Sequence, residues 1–66
     1  MKITVWLQGK RKGLELPAKA KAIDVVQKMG VNPETVLVKR GSEILIDEEH
    51  LEEDDEVELI KIVSGG

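Results

Sequence analysis

The chain has no cysteine, which excludes a disulfide framework, a thiolate metal site and a cysteine nucleophile. It has no Phe or Tyr and a lone Trp, Trp6, too little stacking surface for a nucleic-acid platform. His50 is its one histidine, and its setting, Glu48-Glu49-His50-Leu51-Glu52, reads as that of a solvated side chain. No apolar run approaches the roughly 20 residues that span a bilayer, so no membrane contact is expected. The segment Met1-Lys2-Ile3-Thr4-Val5-Trp6-Leu7 lacks the apolar stretch and small-residue cleavage site of a signal peptide. A cytoplasmic protein is the expectation. Nowhere does the chain carry a nucleophile–base pair, a phosphate-cradling glycine loop or a cluster of metal ligands, so neither a metal nor a cofactor of its own is expected.

What the chain does have is 66 residues, of which 41% are hydrophobic and 35% charged, with a formal net charge of −3. That balance is too apolar and too nearly neutral for a disordered chain, and the length allows one small domain. A core of this size leaves little room to enclose a substrate, which argues against an autonomous enzyme.

Hydrophobic periodicity outlines the elements. Residues 2–7 alternate as a strand with Met1, Ile3, Val5 and Leu7 on one face and Trp6 on the other. Residues 8–13 (Gln-Gly-Lys-Arg-Lys-Gly) read as a turn with a basic tip, and Leu14-Glu15-Leu16 as the returning strand, ended by Pro17. From Ala20 to Met29 the period changes: Ala22, Val25, Val26 and Met29 make a helical stripe, and Gly30 stands where a left-handed cap belongs. No Ser, Thr, Asp or Asn marks the helix start at residue 20 or 21. Strands follow over Thr35–Lys39, Ile44–Ile46 and Glu56–Val63, with an irregular acidic stretch before the last. The ten residues from Asp47 to Glu56 include eight carboxylates. They lack the spaced ligands and central glycine of a calcium loop, and read as a solvated acidic face; docking onto a basic partner, whose association they would hasten, is a separate alternative. The tip Lys10-Arg11-Lys12 is the only basic run, and the negative net charge argues against nucleic acid as its partner.

One helix and five short strands predict an α+β fold of the β-grasp type, a mixed sheet of four to five strands packed on one helix. The first and last strands, the longest apolar ones, belong side by side in its middle. On the last strand Val57 and Leu59 have core parity, which turns Ile60 and Ile62 outward. The run Val36-Leu37-Val38 is apolar on both faces and leaves its own parity open. Trp6, Val38, Ile60 and Ile62 are assigned to an exposed apolar patch for a partner. The domain is expected over residues 1–63, with 64–66 as a flexible tail. Ser64, Gly65 and Gly66 follow directly on the last strand, and glycines let a backbone enter a passage too narrow for side chains. Val63 to Gly66 can reach at most about 13 Å, at roughly 3.3 Å per residue.

The segment from Leu51 to Ile60 leading to Val63-Ser64-Gly65-Gly66, together with the first strand and the Leu16-Pro17 to Gly30 segment, resembles the ThiS/MoaD family of ubiquitin-like sulfur carriers. It is equally similar to the small archaeal modifier proteins of that fold. Two positions depart from the family pattern. Asp54-Asp55 stands where a glycine usually precedes the last strand, and Lys21 stands where the helix cap is often threonine. The resemblance implies that an E1-like enzyme adenylates Gly66 with ATP, and that sulfur from a persulfide then displaces AMP to leave a thiocarboxylate. The sulfur would pass to a biosynthetic enzyme of thiamin thiazole, molybdopterin or tRNA thiolation. In modifier-type members Gly66 is instead joined to a target lysine as an isopeptide. In either case the chain is a carrier and the ATP and metal chemistry belongs to its partners. A β-grasp binding module whose tail does nothing is the competing expectation.

Overall fold

The structure, a computed structural model, describes residues 1–62. Gln8 and Gly9 both take positive φ, 53° and 79°, as in a two-residue type I′ turn whose twist suits paired strands. This turn joins β1 (Lys2–Leu7) to β2 (Lys10–Glu15), paired antiparallel from Leu7 with Lys10 to Lys2 with Glu15. The expected basic tip is therefore strand: the chain reverses within two residues, and Lys10, Arg11 and Lys12 are held by the ladder to β1.

The helix α1 (Ala22–Lys28) buries Ala22, Val25 and Val26. Its carboxyl end is a Schellman cap: Gly30, at φ 73°, donates to Gln27 and Val31 donates to Val26. Its amino end is closed by a different device. The Ala22 and Ile23 N–H groups donate to the carbonyls of Glu49 (2.9 Å) and Asp47 (3.2 Å), while Leu51 donates to Ala20 (3.0 Å). The acidic stretch, expected to be merely irregular, is thus a strap across the helix start, pinned by buried Leu51. Asp24 completes the end by accepting from the Lys21 N–H at 2.8 Å. Those bonds explain how a helix starts on a lysine, whose ammonium has no acceptor to offer.

A 3₁₀ turn over Pro33–Thr35 leads into β3 (Val36–Arg40), followed by β4 (Glu43–Leu45) and β5 (Glu56–Lys61). Asp54, at φ 66°, takes up the left-handed conformation that a glycine would adopt without cost. The next residue, Asp55, accepts from Arg40 Nη1 (3.0 Å) and from the Glu52 N–H (2.8 Å), which sets the entry to β5.

The sheet order is β2-β1-β5-β3-β4, with β1 and β5 parallel and every other pair antiparallel. The first and last strands lie together at or next to the centre, as their apolar content predicts. Ile3, Val5, Leu14, Val36, Val38, Leu45, Val57 and Leu59 project from one face and form one core with Ala22, Val25 and Val26 of the helix. This is the expected β-grasp arrangement, with the opposite sheet face left uncovered among the described residues.

Candidate functional site

Neighbours in register project from the same face of a sheet, so the pairings fix what the uncovered face presents. One row across it runs Arg11 (β2), Trp6 (β1), Glu58 (β5), Lys39 (β3) and Ile44 (β4). A second row sets Leu37 beside Ile60. Trp6 and Ile60 are half-buried there, and Leu37 and Ile62 are 38% and 40% exposed.

Val38, assigned from sequence to this patch, points the other way. It is registered between Leu59 and Leu45, 4% exposed and inside the core. The outward residue of β3 is Leu37. With three apolar residues in succession no alternation marks the parity, and only pairing with a strand whose faces are known decides it.

The indole of Trp6 is held in place: its Nε1–H donates to Glu56 Oε2. Around it lies an open depression of about 370 Å³ lined by Trp6, Lys39, Gly41, Glu56 and Glu58 among others. Three acids and bases of this face thus meet around one aromatic. Among the described residues Glu58 and Lys39 make no ion pair.

The uncovered face also borders the departure of the chain from the sheet. Beyond β5 the Ile62 N–H still donates to the Thr35 carbonyl at 2.8 Å. Ser64, Gly65 and Gly66, the expected passage and reaction residues, lie outside the described residues, as does the boundary at 63. His50 is exposed, with its Nδ1 3.2 Å from the Lys19 carbonyl oxygen. Among the described residues no group of three His, Cys, Asp or Glu is placed to hold a metal ion. Among the described residues no helix is long and apolar enough to cross a membrane.

This β-grasp chain, whose sheet face opposite the helix is uncovered among the described residues and whose sequence continues after β5 to Ser64-Gly65-Gly66, matches the ThiS family over residues 5–66. The chain belongs to the ThiS family. As a ThiS-family chain it is 38% identical, over 56 residues, to the sulfur carrier protein TtuB of Thermus thermophilus, a match covering 85% of this chain and 86% of that protein. Solved structures resemble its backbone: Caldiarchaeum subterraneum ubiquitin has a TM-score of 0.76 at 23% identity, covering 100% of this chain and 98% of that one. ATBAG1 in complex with HSP70 reaches 0.75 at 6% identity, over 92% of this chain and 40% of that one. At such identities these two likenesses establish the ubiquitin-like fold alone.

Proposed function

We propose that this ThiS-family chain is a sulfur carrier activated at Gly66. The observation that carries the reading is the family match running through Gly66, five residues after the end of β5 at Lys61. A carboxylate is a poor electrophile. In the proposed sequence the Gly66 carboxylate attacks the α-phosphorus of ATP on an E1-like enzyme, pyrophosphate leaves, and an acyl adenylate forms. The terminal sulfur of an enzyme persulfide attacks the acyl carbon and AMP leaves. A second thiol then cleaves the resulting S–S bond and is itself oxidised to a disulfide, freeing the thiocarboxylate for a sulfur-accepting enzyme. The chain supplies the acyl group and catalyses none of these steps.

Its own residues act by presentation. The core holds β5 rigidly, so the activating enzyme meets a fixed root, and the side-chain-free Gly65 and Gly66 enter its chamber. The bare face, with Trp6, Leu37, Ile60 and Ile62, is the proposed docking surface. The reading is supported by the sulfur-carrier relative at 38% identity.

The test is ATP–pyrophosphate exchange with an E1-like enzyme of the same host, followed by intact-mass measurement after a persulfide sulfur donor and a thiol are added. The native chain should support exchange and gain one sulfur in place of one oxygen. Alkylation by iodoacetamide separates that change from oxidation of Met1, Met29 or Trp6. A chain with one residue appended after Gly66 should fold normally and lose both. Equal activation of native and extended chains would defeat the carrier reading, and Gly-Gly remnants on target lysines would favour the modifier reading instead.

A further inference from the structure

The outward side chains of β5 change character along its length. Ile60, and Ile62 just beyond the strand, lie next to the tail root, while Glu58 and Glu56 occupy the half that joins the acidic strap. From Ile60 to Glu56 is about 13 Å of strand at roughly 3.3 Å per residue. The outward edge of the last strand is therefore apolar towards the tail and acidic away from it; Trp6 is in register with Glu58, and Arg11 and Lys39 flank that pair in the same row.

The acidic half has a built geometry. Glu56 engages the Nε1–H edge of Trp6, which uses the donor of the indole and leaves its π surface as the contact it can still offer. Glu58, exposed and without an ion pair among the described residues, stands in the same row. Lys39 is the one cation lining the depression, against two carboxylates. The lining of the depression thus carries one more carboxylate than cation. A flat cation fits it: a guanidinium stacks on an indole face and donates in a fork to carboxylates, which a compact ammonium does less well.

We infer that the depression beside Trp6 receives an arginine side chain of the docking partner, seated between the indole and Glu58. Apolar partner residues cover Leu37 and Ile60 at the same time. A contact of this kind gives the docked carrier a direction. The partner must be apolar beside the tail root and place its arginine at the depression, so a carrier turned end for end sets Glu58 against an apolar surface. Identifying that partner as the activating enzyme rests on the carrier reading; the chemistry of the depression does not.

The experiment has two arms. In the first, the full chain is titrated with acetyl-Gly-Arg-Gly-amide, acetyl-Gly-Lys-Gly-amide and acetyl-Gly-Glu-Gly-amide while the Trp6 indole N–H is followed by NMR. The arginine peptide should give a saturable shift, binding at least about threefold more tightly than the lysine peptide, and the glutamate peptide none. Glu58→Gln, at an exposed site that leaves the fold intact, should weaken the arginine peptide by about threefold or more. An equal response to the glutamate peptide, or indifference to Glu58→Gln, overturns the inference. In the second arm, ATP–pyrophosphate exchange is measured with Glu58→Lys and Lys39→Glu. Glu58→Lys should raise the half-saturating carrier concentration by about tenfold with the plateau rate unchanged, and Lys39→Glu, which removes the competing cation from the depression, should lower it. Exchange with the native chain but no effect of Glu58→Lys sinks the arginine contact on that partner. No exchange with the native chain counts against the carrier reading, while the peptide arm still decides the depression.

Discussion

Asp54 shows how one side chain can be set against its own backbone. Its φ of 66° belongs to a region where an L-residue with a Cβ is strained and where Asp is tolerated better than most. Asp54→Gly should therefore raise the unfolding free energy by about 0.5 kcal/mol, and Asp54→Val should lower it by more than about 1 kcal/mol. Urea melts that fail to rank Gly, Asp, Val in that order would refute the strain. The parity of β3 gives a second contrast. Val38→Ala opens space in the core and should cost about 2 kcal/mol, whereas Leu37→Ala should change stability by less than about 0.5 kcal/mol and weaken adenylation. That pair separates the core from the uncovered sheet face, a distinction that Val36-Leu37-Val38 conceals because every residue in it is apolar. For Trp6, Ile60 and Ile62 the outward direction was legible, since Thr4, Glu56 and Glu58 alternate cleanly with buried neighbours.

At the scale of elements, the strands with apolar alternation and the helix end at Gly30 could be read directly. The missed pieces were those that other elements hold in place. Lys10-Arg11-Lys12 has little strand preference of its own and is extended because β1 pairs with it. The helix start carried no cap signal because its donors are served by the carbonyls of Asp47 and Glu49, more than twenty residues later in the chain. A conventional cap should then add little: Lys21→Thr is expected to change stability by less than about 0.5 kcal/mol, because the donors it would serve are taken. Asp24→Ala, which strips the acceptor from the Lys21 N–H, should cost about 1 kcal/mol. Thermal or urea unfolding of the two variants checks both, and a gain of more than about 1 kcal/mol from Lys21→Thr would show the strap to be a poor cap.

The whole molecule is organised around two strands far apart in sequence. β1 and β5 are both paired on two sides, whereas β2 and β4 are sheet edges. Hydrogen exchange should reflect that order. The amides of Val5 and Val57 should open only with global unfolding, and that of Ile44 at least about tenfold faster. Similar rates across the sheet would contradict it. The β-grasp architecture was legible at this scale because the number and order of elements leave few ways to cover one sheet with one helix. The strap was not, since its role appears only once the helix start is seen to need acceptors. β5 has a last consequence. A chain arrested before residue 56 can make two ribbons, β2 with β1 and β3 with β4, but the inner edges that should share a neighbour stay open. Insertion of that strand welds them, so synthesis finishes the keystone only as it reaches the glycines behind it.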